Sequence, residues 1–161
     1  MTKIKIEVAR KLAIETISKL DDKPRKDFLL IHSEKVGLVA NLLAKSVNMQ
    51  DDVFMVAGWL HDIGNIIDNE NHAKHSLTVL KEKGINVDGV LKDCILNHGD
   101  KNEAKTLEGR IFQIADKLSI FDIDTIEVFI KFGGLPMNKD YISFLRKLTE
   151  TALVSLEKFK K

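Results

Sequence analysis

Gly58-Trp59-Leu60-His61-Asp62-Ile63-Gly64-Asn65 decides how the rest of the chain is read. The His61-Asp62 pair closes an apolar run that starts near Val53. An imidazole and a carboxylate in such surroundings are costly unless partnered. A divalent metal partners both, and His32, His72, His98 and Asp116 are the candidates for the same centre. Ala57 and Gly58 are small enough to let a neighbouring helix come close. Gly64 reads as a helix end that leaves His61 and Asp62 in the last turn, where the negative end of the helix dipole favours a cation.

Outward from this stretch, apolar residues recur at helical spacing nearly everywhere and strand alternation is absent, which predicts an all-α fold. Ile6, Ala9, Ala13, Ile17 and Leu20 mark a first helix, broken at Asp21-Asp22-Lys23-Pro24. Phe28, His32, Val36, Val39 and Leu43 form the stripe of a second, so His32 faces the core as a hydrogen-bonded residue or a ligand. Asp51 or Asp52 can cap the helix from Val53. Asp68-Asn69-Glu70-Asn71 is a loop before a helix with core residues Ala73, Leu77 and Leu80. His72 and Ser76 share one side of that helix, and His75 points elsewhere. Val90, Leu91, Cys94, Ile95 and His98 make the next stripe, with Cys94 read as packing. After a charged loop, Leu107, Ile111, Ile114, Ala115 and Leu118 define a helix in which Asp116 is a ligand or an ion-pair partner of Lys117. Phe121 to Phe132 reads as a helix stopped by Gly133-Gly134 and Pro136. A last helix from about Asn138 carries Tyr141, Leu145, Leu148, Ala152 and Phe159, a stripe that covers the core or in part forms a homodimer surface.

The 161 residues fit one domain with a real core. A net charge of +1 gives no broad field for a nucleic acid polymer or a membrane. One cysteine rules out an internal disulfide and fits a reducing compartment. No apolar run is long enough to cross a bilayer, and Met1-Thr2-Lys3-Ile4-Lys5-Ile6 lacks signal-peptide features. A cytoplasmic protein is expected.

The ordered pattern His32 … His61-Asp62 … Asp116 resembles the HD-domain metal-dependent phosphohydrolase superfamily, named for its adjacent His-Asp pair. The matching stretches are Ile31-His32-Ser33-Glu34-Lys35-Val36, Trp59-Leu60-His61-Asp62-Ile63-Gly64 and Ile114-Ala115-Asp116-Lys117-Leu118. His72-Ala73-Lys74-His75-Ser76 and Ile95-Leu96-Asn97-His98 resemble the segments that supply second-metal histidines in two-metal members. The resemblance implies a helical bundle with the metal site between helices. It implies one HD-type domain over 1–161, its motif-bearing core about 28–122, with the helices of 123–161 packing on it. It also implies metal ligands at His32, His61, Asp62, His72, His98 and Asp116, with Asp62 bridging two ions. Many relatives carry a phosphate-holding lysine where this chain has Asn65, which brings no charge. No Gly-Tyr-Pro segment follows His98, so a cyclic-dinucleotide phosphodiesterase of the HD-GYP type is not supported.

Imidazole and carboxylate ligands suit one or two ions of Mn, Fe, Co, Ni or Zn better than Ca. Without nearby thiolates, the set fits a catalytic centre better than a structural zinc site. A bound ion lowers the pKa of its water and neutralises phosphate oxygens, with Asp62 as the candidate catalytic residue. Asn65, Lys74, Arg110 and Lys117 are the candidates for holding phosphate, the three cations against a plain reading as solvated charges. The expected function is hydrolysis of a nucleotide or another small phosphate ester. The alternatives are a nucleotide-sensing binding module with little turnover and a di-iron HD-type oxygenase.

Overall fold

The computed structural model describes residues 4–87, 89–99 and 102–131, together with 146–147, 149–150 and 154. The expected helix from Asn138 and the stop at Gly133-Gly134 and Pro136 lie outside these segments. The fold is all-α, with no strand among the described residues. Its helices are α1 (Ile6–Ile17), α2 (Lys23–Ser46), α3 (Val53–Leu60), α4 (His72–Glu82), α5 (Gly89–Asn97), α6 (Leu107–Leu118) and α7 (Ile123–Lys131). Two 3₁₀ turns, Ile63–Ile66 and Ser119–Phe121, follow α3 and α6.

Local chemistry sets most of the boundaries. Asp22 caps α2 by accepting from the Arg25 N–H at 3.0 Å, and Pro24 falls in the first turn, where its missing N–H costs nothing. Asp51 accepts from the Val53 N–H at 3.0 Å ahead of α3. Thr106 caps α6 through the Gly109 N–H, also at 3.0 Å. Leu20 lies beyond the end of α1 yet still packs on the core.

α2 is the central post. It lies against α1, α3, α6 and α7, while α4 covers the 3₁₀ turn after α3 and packs on α5. Two apolar clusters result. One gathers Ala13, Ile17, Leu29, Leu60, Ile63, Leu80 and Ile95, and the other Val36, Ala40, Phe54, Ala57, Phe112 and Ala115. Each large side chain so buried stabilises the fold by about 1.5–3 kcal/mol. α3 contributes to both clusters, so the His61-Asp62 pair at its end falls where they meet. The close approach expected at Gly58 is there. A Cβ would sit 2.6 Å from the Ser33 carbonyl oxygen and 2.7 Å from the Gly37 nitrogen.

Two expectations change. α3 ends at Leu60, not Gly64. Ser76 of α4 donates its hydroxyl to the His61 carbonyl at 2.6 Å and accepts from the Gly64 N–H at 2.9 Å, taking groups that would continue the helix. Gly64 serves a crossing instead of a cap, since a Cβ there would meet the His72 carbonyl oxygen at 2.1 Å. The helix expected over Phe121–Phe132 begins only at Ile123, because Asp122 is extended (φ −66°, ψ 141°) and its carboxylate accepts from the Asp124 N–H. Lys35 of α2 pairs with Asp122 at 3.0 Å and with Asp124, which ties α7 to the post. No helix of the described residues is long and apolar enough to cross a membrane.

Candidate metal centre

Five helices deliver six side chains to one place. His32 comes from within α2, His61 and Asp62 from the end of α3, and His72 from the first residue of α4. His98 follows the last residue of α5, and Asp116 lies in the last turn of α6. All but His72 are buried.

Each histidine has one ring nitrogen pinned from behind. Nδ1 of His61, His72 and His98 lies 2.9, 2.6 and 2.8 Å from the carbonyl oxygens of Gly58, Asn69 and Ile95, always three residues back. A carbonyl only accepts, so in each ring Nδ1 carries a proton and Nε2 is the nitrogen turned to the centre. For His32 the partner is the Ser119 hydroxyl at 3.2 Å, which itself donates to the Asp116 carbonyl. Phe28 stacks on the His32 ring, centroids 5.2 Å apart and planes 12° from parallel. Such backing fixes ring orientation and raises ligand basicity.

The four Nε2 atoms converge on two carboxylates. Around Asp62 Oδ2 and Asp116 Oδ1, His32 Nε2 lies 3.8 and 3.0 Å away, and His61 Nε2 3.4 and 3.6 Å away. Around Asp62 Oδ1, His72 Nε2 lies at 3.2 Å and His98 Nε2 at 3.8 Å, and these two nitrogens are only 2.9 Å apart. Asp62 therefore turns one oxygen to each half. Two groupings bring three ligand atoms within 4.8 Å of one another, His32–His61–Asp116 and His61–Asp62–His98.

This donor set fits a cation. His61 Nε2 is fully buried with no hydrogen-bond partner, a costly state for a polar atom. With each of these Nδ1 atoms engaged from behind, the rings turn Nε2 toward two buried carboxylates and toward each other, a place that calls for positive charge. The electrostatics agree. Burial works against the His61 imidazolium, but Asp62 and Asp116 outweigh it and lift its pKa to about 9. Burial and the neighbouring His61 push His98 down to about 4. Burial opposes ionisation of Asp62 and Asp116 as well, yet the histidines, and Lys117 for Asp116, hold both carboxyls below the usual range.

The phosphate-binding candidates separate. Lys117 is buried, donating to Asp116 Oδ2 at 2.6 Å and reaching the His98 carbonyl at 3.5 Å. The ion pair read from sequence exists, but inside the site, and it leaves Asp116 Oδ1 for the centre. Lys74 and Arg110 are exposed and make no hydrogen bond or ion pair with the cluster among the described residues. Asn65 is buried beside Asp62, its amide donating to the Asp62 carbonyl at 3.1 Å. His75 stands apart, half-buried and 3.8 Å from Asp68. Cys94 is fully buried, and burial pushes its thiol well up, as packing requires.

Sequence reading missed several supports. Ser76 and Ser119 anchor the His61-Asp62 turn and His32. Gln113 of α6 donates its amide to the carbonyls of Asn97, Gly99 and Asn102, gripping the segment after α5 that carries His98. Asp93 accepts from the Lys105 and Thr106 N–H groups, the Thr106 hydroxyl and the Asn97 amide, tying α5 to the start of α6. Gln113 falls one turn before Asp116 on α6, a spacing that could have flagged it.

A helical bundle with imidazoles and carboxylates gathered at its helix ends defines a class of domain able to hold divalent metal inside an apolar core. The chain belongs to the HD domain family, which matches residues 29–120. Among curated proteins it is similar to a deoxyguanosinetriphosphate triphosphohydrolase-like protein of Caldanaerobacter subterraneus subsp. tengcongensis. They are 27% identical over 139 residues, covering 72% of this chain and 40% of the relative. It is also similar to ribonuclease Y of Clostridium perfringens, 32% identical over 109 residues, 64% of this chain and 21% of the relative. Ribonuclease Y of Clostridium tetani is 29% identical over 108 residues with the same coverage. The chain thus spans less than half the length of these relatives. No solved structure gives a significant match.

Proposed function

We propose that this chain is a metal-dependent phosphohydrolase acting on a nucleotide or another small phosphate ester, with His32, His61, Asp62, His72, His98 and Asp116 as its ligands. The observation that carries the reading is the split of Asp62, one oxygen toward His32 and His61 and the other toward His72 and His98. A bound divalent ion lowers the pKa of its water and neutralises phosphate oxygens as charge develops. The protein's own residues do the rest. Carbonyls of Gly58, Asn69 and Ile95 hold the imidazoles with Nε2 inward. Lys117 orients Asp116, and Phe112 packs edge-on to the His61 ring. Asp62 is the catalytic residue of the proposal, whose two oxygens would each serve an ion and orient a nucleophilic water.

The relatives' names support the reading at different levels, one invoking a nucleoside triphosphate and the others RNA. Both are phosphate esters, and the ribonuclease similarity makes RNA the second reading. The near-neutral charge favours the small ester. The cytoplasm is the compartment this activity and the single free cysteine fit. The test is a screen of nucleotides, phosphate monoesters and short RNA with the purified chain in Mn, Co, Ni, Fe and Mg. Release of phosphate or pyrophosphate from a nucleotide supports the first reading. Tight binding without turnover would favour a sensing module, and oxygen-dependent turnover with iron an oxygenase.

A further inference from the structure

Both ends of the Asn65 side-chain amide are already engaged within the protein. Its Nδ2 donates to the Asp62 carbonyl at 3.1 Å, and its Oδ1 accepts from Arg25 Nη2 at 3.1 Å. The orientation is forced, because a carbonyl only accepts and a guanidinium only donates. The same Nη2 also donates to the Asn65 main-chain oxygen at 3.0 Å. Asn65 thus grips a cation from the start of α2, forty positions away in sequence, while its other side touches the Asp62 backbone.

Several features of Arg25 call for an anion. It is half-buried, its acceptors are two neutral carbonyls, and it forms no ion pair among the described residues. Nε and Nη1 have no hydrogen-bond partner there either. That leaves the N–H groups of Nε and Nη1 for further acceptors, and a guanidinium suits phosphate oxygens well. It sits in the first turn of α2, where the positive end of the helix dipole disfavours a cation alone but adds to its pull on an anion. Its position is bound to the centre from two directions. Arg25, Phe28 and His32 follow one another at helical spacing along α2, Phe28 lies flat on the His32 ring, and Asn65 ties the guanidinium to Asp62. The other candidate cations are placed differently, with Lys117 bonded to Asp116 and Lys74 and Arg110 exposed.

We propose that Arg25 is the phosphate-binding cation of this site and that Asn65 is its brace, not itself a substrate ligand. The ligand class is a phosphate ester whose non-bridging oxygens meet the guanidinium N–H groups that Asn65 leaves unused. This rests on the phosphohydrolase reading above.

The experiment titrates inorganic phosphate into the Mn-loaded full chain by calorimetry and follows p-nitrophenyl phosphate hydrolysis and bound Mn in parallel. Arg25→Ala is expected to weaken phosphate binding roughly 10–100-fold, the range for losing hydrogen bonds to a charged group. Its KM should rise more than its kcat falls, with Mn content unchanged. Arg25→Lys should recover part of the affinity, and Asn65→Ala should lose less than Arg25→Ala in the same direction. Phosphate binding by Arg25→Ala equal to that of the parent would overturn the assignment while leaving the phosphohydrolase reading intact. Loss of Mn together with phosphate would also overturn it, making Arg25 a support of the Asp62 turn. A parent protein that neither binds phosphate nor turns over any ester would remove both.

Discussion

The two halves of the centre are built differently. His32, His61 and Asp116 come from helix bodies or ends inside the apolar core, with side-chain exposures of 6%, 0% and 10%. His72 opens α4 with its side chain 26% exposed, and its Nδ1 is held by the carbonyl of Asn69 in the preceding loop. His98 is buried, but it lies just past α5 in a segment held by Gln113 and Lys117 of α6. The contrast teaches that side chains gathered around one carboxylate can still differ in how firmly they are held. The half on packed helices is preorganised by the core. The half at helix ends depends on loop hydrogen bonds, which open at lower free energy.

The strongest way to break this comparison is to remove what the halves share. Asp62→Ala is expected to abolish metal binding in both halves and all turnover while the helical circular-dichroism signal largely persists; normal metal content in this variant would sink the account. Next comes the core half. Asp116→Asn should lower metal affinity by one to two orders of magnitude, roughly the 10–100-fold cost of perturbing a metal's coordination, measured by competition with a chelator. Unchanged affinity with reduced thermal stability would make Asp116 only an ion-pair partner of Lys117. At the open half, His72→Ala and His98→Ala should each lose one metal and keep the other, with a sharp fall in turnover. His75→Ala should be nearly silent in every assay, since the His75 ring faces Asp68 and not the cluster.

A smaller effect sharpens the comparison from the scaffold side. Burial alone would raise the Asp93 pKa, but hydrogen bonds from Thr106, Asn97 and Lys105 outweigh it and hold the carboxyl below its ordinary range. A depressed folded-state pKa contributes stability that is present above the unfolded value, about 3.9, and is lost as pH falls through the lower folded value. Asp93→Asn turns an amide toward some of those donors and should cost about 1–3 kcal/mol near neutrality. Its denaturation midpoint should also fall less steeply than the parent's below about pH 4, and parallel acid-side curves would remove Asp93 as the anchor between α5 and α6.

Much of this was legible in the chain because its signals are local. Helical spacing placed His32 and Asp116 on inward faces, and small residues announced the Gly58 crossing. The different fates of His72 and His75 followed from helical direction alone. What could not be read depends on partners far along the chain. The end of α3 moved to Leu60 because Ser76, fifteen positions beyond His61, takes the carbonyl that would continue the helix. Lys117, a phosphate-holding candidate in the sequence, is a buried partner of Asp116, since only the fold shows that α6 meets the His98 segment. The grip of Asn65 on Arg25 spans forty positions and has no motif of its own.

The central claim is that one carboxylate, Asp62, serves two ions. The most direct measurement is anomalous scattering from crystals grown in excess Mn. The account expects two peaks about 3.5–4 Å apart, the spacing of two-metal sites. One should lie among His32, His61 and Asp116 and the other between His72 and His98, with an Asp62 oxygen on each, the second weakening first as Mn is withdrawn. A single peak, with His72 and His98 both turned away from it, would contradict the claim.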